Sequence, residues 1–189
     1  KRQPDGSLKP TGERTETCQY YAFFFHVATP QRDPALWETL RTEFGPQRRQ
    51  TKKYPELCFS NALPGHYLRL ELLSRLGLSA QMIEESKVYF LNMAEQTGTL
   101  WEHDRSSDSC CHGFASHVAH VLYRDVLGLF EADAVGKRVR LRFTDTPLQT
   151  CQGVMPLGSD RVAVSWRKAG GVFYFRVRTP PGFEVEVDT

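Results

Sequence analysis

The sequence predicts an α+β chain in two parts, an all-α segment over residues 1–132 and a small antiparallel β-sandwich or sheet domain over residues 133–189. Three observations lead there. Apolar residues recur at helical spacing from about residue 15 to about residue 130. Beyond residue 133 the period drops to two. The helix faces are also too wide to be covered by one another and by so short a sheet, so the helical part reads as incomplete.

The helices follow in order. Thr15 or Thr17 caps a first helix through CQYYAFFFHVA, which is apolar nearly all round and so expected to lie deep; Thr29-Pro30 stops it. Asp33 as cap and Pro34 at the first helical position open PALWETLRTEF, which ends at Gly45-Pro46. The basic stretch GPQRRQTKKYPEL reads as a solvated connection. Asn61 starts a helix with Leu63, Tyr67, Leu70 and Leu73 on one side, closed by Gly77. Ser79 caps the next, where Met82, Tyr89 and Met93 run beside Ile83, Phe90 and Ala94 as far as Gly98. A last helix begins near His112 and carries Phe114, Val118, Val121, Leu122 and Leu129.

The strands come next. Val139, Leu141 and Phe143 alternate with Arg138, Arg140 and Arg142. Val162, Val164 and Trp166 alternate likewise, and Phe173, Phe175 and Val177 follow a hairpin turn at Ala169-Gly170-Gly171. Phe183, Val185 and Val187 make a final short strand. Alternating arginines are ordinary on the wet face of an antiparallel sheet, and no nucleic-acid partner is expected from them.

Bulk composition sets outer limits. A chain of 189 residues, 40% hydrophobic and 12% aromatic, is globular and of one to one and a half domains. A formal charge of +2 supplies no whole-chain attraction for nucleic acid or a membrane surface. No apolar stretch approaches the roughly 20 residues of a membrane span. The first ten residues, KRQPDGSLKP, are polar and show no signal peptide, which leaves cytoplasmic and periplasmic locations both open. Five cysteines, at 18, 58, 110, 111 and 151, form no framework spacing and favour a reduced state.

The chemistry concentrates in TGTLWEHDRSSDSCCHGFAS, residues 97–116. Glu102 follows an aromatic residue after a glycine turn. The ring shields the carboxylate while the loop leaves it reachable, as suits a general base. Trp101 beside it is the pairing expected where the apolar face of a sugar stacks on a ring. His112 falls at an expected helix N-terminus, where the macrodipole disfavours added positive charge and a neutral imidazole can donate to a substrate hydroxyl. His117 and His120 share a helix face with Arg124 and read as surface or packing residues. Cys110, Cys111, His112, His117 and His120 lack the spaced ligand pairs of a zinc site, so no metal is expected. Cys111 would be activated at a helix N-terminus, but no oriented base marks it as a nucleophile.

On these residues the chain resembles a known family. TETCQYYAFFFHVATP, NALPGHYLRLELLSRLG, MAEQTGTLWEH and the histidine of SCCHGFAS are similar to the later part of the catalytic domain of bacterial α-L-rhamnosidases. MPLGSDRVAVSWRKAGGVFYFRVRTPPGFEVEV is similar to the small C-terminal β domain that follows it. The resemblance spans essentially the whole chain, in the same order. It implies the later part of an (α/α)6 toroid, which would pack against the missing earlier part of the catalytic domain. It also implies removal of terminal α-L-rhamnose from a rhamnose-containing oligosaccharide or glycoside by inversion, without cofactor or metal. By position in the motif Glu102 corresponds to the general base, His112 to a sugar-contacting histidine and Trp101 to its supporting aromatic. The family's general acid sits in an acidic motif of the earlier half, which has no counterpart here, so this chain alone is expected to be inert. Phe114 stands where the family often has tryptophan. Other readings of the same residues are another glycosidase on the same toroid, an inactive relative, or a non-catalytic carbohydrate-binding module.

Overall fold

The computed structural model describes residues 4–5, 15–60, 62–103, 106 and 108–188, with the side chains of Ala62 and Leu63 outside the description. The expected helix start at Asn61 and the apolar contact of Leu63 therefore lie outside the described residues. The chain is mixed α+β. Its two compact units interleave in sequence, one holding residues 1–72 and 87–115, the other residues 73–86 and 116–189. No described helix is long and apolar enough to cross a membrane.

The first unit is built on helices. Helix α1, Glu16–Phe24, starts as expected at Thr15, whose hydroxyl accepts from the Cys18 N–H at 3.2 Å. Helix α2, Pro34–Glu43, has Asp33 at its N-cap position, but that carboxylate accepts from the Thr29 N–H at 3.1 Å instead of from the helix. Helix α3, Arg48–Thr51, is a single turn inside the basic stretch. The core is Tyr20, Phe23, Ala28, Leu40, Phe44, Leu68 and Leu72. Each such side chain contributes on the order of 1.5–3 kcal/mol by leaving water. The deep burial expected for all of α1 is not found. Tyr20 and Phe23 are buried, yet Tyr21 is exposed; the helix also ends at Phe24, short of the expected stop at Thr29-Pro30, and Phe25 and Val27 beyond it are exposed. A π-helical turn Ala62–His66 leads into helix α4, Tyr67–Arg75, whose sequence runs from the first unit into the second. Helix α6, Asn92–Thr97, follows a π-helical turn at Lys87–Leu91 and closes at Gly98, which takes the left-handed conformation at φ +69° that favours glycine.

The second unit holds helix α5, Ser79–Ser86, helix α7, His117–Val121, and all the strands. Ser79 does not cap α5. The Leu78 carbonyl already accepts from the Met82 N–H at 3.0 Å, and the buried Ser79 hydroxyl has no partner among the described residues. The expected last helix is a succession of tighter and looser turns, a 3-10 turn Gly113–Ser116, then α7, then a π-helical turn Leu122–Val126. It ends before Leu129, which opens a strand instead. Leu129 pairs with Leu141, and that pairing outweighs the helical spacing of the sequence.

Two three-stranded sheets follow. Strands β1, Leu129–Asp133, β2, Arg138–Arg142, and β6, Glu184–Asp188, lie in the order β1-β2-β6. Strands β3, Thr150–Leu157, β4, Asp160–Ala169, and β5, Val172–Arg178, lie in the order β3-β4-β5. The expectation of a purely antiparallel domain fails at one ladder, since β2 and β6 run parallel, with Val139 opposite Val185 and Leu141 opposite Val187. The β4–β5 hairpin turns at Gly170 and Gly171, at φ +57° and +74°. Strand β3 escapes the alternation rule because Gly153 and Pro156 interrupt it. Proline is tolerated on this edge strand, and a Cβ at Gly153 would come within 2.8 Å of Leu127 Cδ2. Inward residues of both sheets, Val139 and Leu141 with Val162 and Val164, share one buried cluster with Leu127 and Leu129.

Asp125 ties the helical turns of this unit to its strands. The carboxylate is buried, accepts from Arg124 Nη2 at 2.8 Å and from Arg142 Nη2 at 3.3 Å, and its own carbonyl accepts from the Thr144 hydroxyl at 2.6 Å. The Trp166 indole N–H donates to the Val126 carbonyl at 3.0 Å.

Candidate functional site

The turn at Gly98 returns the chain from α6 into Leu100-Trp101-Glu102, all in the first unit. Trp101 is 1% exposed. Its backbone N–H points at the Met93 sulfur at 3.4 Å, and its indole N–H donates to the Thr97 hydroxyl at 2.8 Å, so α6 holds the ring from one side. Glu102 is half-buried.

Two backbone hydrogen bonds close the neck of the loop that follows. The Glu102 N–H donates to the Ser109 carbonyl, and the His112 N–H to the Leu100 carbonyl, both at 2.9 Å. The Thr99 hydroxyl adds a third tie to the Cys110 carbonyl. Glu102 and His112 thus sit on neighbouring rungs of one neck, although ten residues apart in sequence. His112 is half-buried, and its buried Nδ1 has no hydrogen-bond partner among the described residues. Its ring lies 5.1 Å from that of Phe114, tilted by 30°. Phe114 is 61% exposed.

The structure therefore distributes the aromatic roles differently from the residue reading. Trp101 supports the backbone of Glu102 from inside the unit and offers no free face for a sugar. The ring open to solvent beside His112 is Phe114. A half-buried carboxylate, a half-buried imidazole and an exposed aromatic ring lie along this neck. That set can bind a polyhydroxylated ligand and activate a water.

His117 and His120 are in the second unit, with ring centroids 5.8 Å apart, and His120 Nε2 lies 3.2 Å from Arg124 Nη1. Among the described residues no three His, Cys, Asp or Glu side chains gather as metal ligands. Cys110 lies against the backbone of its own loop, its sulfur 3.6 Å from the Asp108 carbonyl, and Cys111 is exposed.

A second polar constellation was not legible in the sequence. Glu16 and Arg48 form a wholly buried ion pair, Oε2 to Nη1 at 2.7 Å. The other Glu16 oxygen accepts from the Gly45 N–H at 2.9 Å and from the Tyr20 hydroxyl. Arg48 also donates to the carbonyls of Lys53, Tyr54 and Leu57, and its guanidinium lies 4.1 Å from the centre of the Phe59 ring. Arg69 joins through Tyr20 Oη at 3.1 Å and the Leu40 carbonyl at 2.8 Å. The cluster fastens the basic stretch to α1 from inside the unit. The one available sequence signal was a carboxylate at the head of an otherwise apolar helix.

Fold and site together define an α+β protein of short helices and two small sheets that carries a loop carboxylate beside a histidine. No protein-family model, curated protein or solved structure matches the chain.

Proposed function

We propose that the chain is part of an α-L-rhamnosidase-like inverting glycoside hydrolase in which Glu102 is the general base. The observation that carries this reading is the closed neck, which holds a half-buried carboxylate one rung from His112 with the exposed ring of Phe114 alongside. An inverting hydrolase needs a base that draws a proton from water, and an acid about 6.5–9.5 Å away on the other side of the scissile bond. In this reading Glu102 activates the water, His112 contacts the sugar, and Phe114 receives the apolar face of the ring. The acid comes from the earlier half of the catalytic domain, as in the family the sequence resembles. The exposed apolar residues Tyr21, Phe25, Val27 and Leu91 support the same reading, because further helices of a toroid would cover them.

The test is hydrolysis of a panel of aryl glycosides by the longer protein that includes this chain. Cleavage of the aryl α-L-rhamnoside to the free phenol and β-L-rhamnose, the anomer being read by proton NMR of the nascent sugar, is expected. Preference for another glycoside, or retention of configuration, overturns the assignment.

A further inference from the structure

The arginines of the second unit fall into two groups with different surroundings. Those of β2 are neutralised. Arg140 lies 3.4 Å from Glu131, 3.6 Å from Glu186 and 3.3 Å from Asp188, and Arg142 lies 3.3 Å from Asp125. Arg138 is 3.9 Å from Glu131. The ring of Phe130 also lies against Arg140 and Arg142. The alternating arginines picked out by the sequence are thus the ones already paired.

Strands β4 and β5 carry the opposite case. In β4 the residues Val162, Val164 and Trp166 face the core, which turns Arg161, Ser165 and Arg167 to the other side. The register then places Arg176 opposite Ser165, Arg178 opposite Ala163 and Tyr174 opposite Arg167, all on that outer face. Arg161, Arg167, Arg176 and Arg178 are exposed, and none has an ion-pair partner among the described residues. Each two-residue step along the sheet presents one of them, in the order Arg167, Arg176, Arg178, Arg161. At roughly 7 Å per step they form a straight cationic stripe about 20 Å long. Neutral hydrogen-bonding groups of Gln152 and Ser165 lie along it, in a shallow concavity of about 640 Å³ at the Tyr174 end. One carboxylate, Asp160, stands at the far end, where β4 begins.

We propose that this outer face of the β3-β4-β5 sheet binds an acidic polysaccharide, a glycan chain carrying carboxylates on successive sugars. An array of unpaired guanidinium groups matches carboxylates bidentately, which lysines would not. The interleaved amide and hydroxyl groups suit the sugar hydroxyls between them. Single-stranded nucleic acid fits less well, because such sites need open aromatic platforms for the bases. The aromatic on this face is Tyr174, and it is already covered by the Arg167 guanidinium at 4.2 Å. Phe173 and Phe175 turn the other way, packing on Phe143 at 4.7 and 5.1 Å. This surface uses none of the residues at the Glu102 neck and stands or falls independently of the hydrolase reading.

The test is affinity electrophoresis of the full chain through gels containing de-esterified polygalacturonate, with dextran gels and a thymidine oligonucleotide as controls. Retardation in the uronate gel, absent in dextran and abolished by high salt, is expected. The exposed double substitution Arg176→Gln/Arg178→Gln should weaken uronate binding by about tenfold or more. The charge-matched double substitution Lys52→Gln/Lys137→Gln, off this face, should leave it unchanged. Lack of retardation overturns the proposal, as does equal weakening by both doubles, which would mean diffuse attraction only. Tighter, Arg176-dependent binding of the oligonucleotide also overturns it, in favour of a nucleic-acid surface.

Discussion

Glu16 Oε2 and Arg48 Nη1 meet at 2.7 Å with both side chains essentially inaccessible to water, at 1% and 0% exposure. An ion pair in such a place holds where further hydrogen bonds support both charges, here from Tyr20, the Gly45 N–H and three backbone carbonyls. Removing one partner strands the other. Arg48→Met and Glu16→Gln are each expected to destabilise the chain by about 3–5 kcal/mol. The double substitution Glu16→Gln/Arg48→Met should cost less than the sum of the two. Urea denaturation of the four proteins gives the coupling directly; additive losses would show that the two charges do not depend on each other.

Tyr89 presents a different burial problem. It is 7% exposed, stacks on His66 at 4.1 Å, and its hydroxyl has no hydrogen-bond partner among the described residues. Burial pushes its phenol up from 10.0 to about 12, against a smaller opposing pull from Arg49. Ionisation is therefore easier in the unfolded chain. The stabilising preference for the neutral phenol is complete below pH 10 and is lost as pH rises from 10 towards about 12. Absorbance titration should show a late-ionising step that is lost in Tyr89→Phe. The same variant removes an unsatisfied buried hydroxyl and should gain on the order of 1 kcal/mol at neutral pH.

Trp101 and Phe114 should separate stability from binding. Trp101→Ala empties a fully buried site and is expected to cost about 3–5 kcal/mol. Phe114→Ala removes an exposed ring and should change stability by less than about 0.5 kcal/mol. In the proposed hydrolase, Phe114→Ala should raise KM for the glycoside. Thermal denaturation beside steady-state kinetics distinguishes the two, and a large loss of stability in Phe114→Ala would contradict the exposed placement.

Glu102→Gln keeps the shape of the neck, because the Ser109 bond uses the backbone N–H, and removes only the proton acceptor. In the proposed hydrolase, kcat for the aryl glycoside should fall by about 10²–10⁴ with KM nearly unchanged. Turnover left intact would remove Glu102 from the mechanism.

Much of the secondary structure was legible in local chemistry. Thr15 as the cap of α1, Pro34 at the head of α2, Gly98 after α6 and the Gly170-Gly171 hairpin are each dictated by backbone preferences within a few residues. Strand β3 was hidden by Gly153 and Pro156, which are admitted by an edge position and by close contact with Leu127. Leu129 carried helical spacing yet pairs in a sheet, because its partner Leu141 lies twelve residues on. At the site, the sequence pointed to Glu102 and His112 through residue type and order, and to Trp101 as an aromatic neighbour. It could not tell which of Trp101 and Phe114 is open to solvent.

By itself, then, the sequence determined the change of period near residue 130, the caps and turns, and the choice of a loop carboxylate as the group to watch. These depend on steric and hydrogen-bonding preferences that act over one turn or one hairpin. Only the tertiary structure decided that Arg48 leaves a basic stretch to meet Glu16, and that the neck sets His112 one rung from Glu102. It also decided that β2's arginines are neutralised while those of β4 and β5 stay open. Burial, ion pairing and strand register join residues far apart in the chain, and local preference carries no information about which distant partner each will meet.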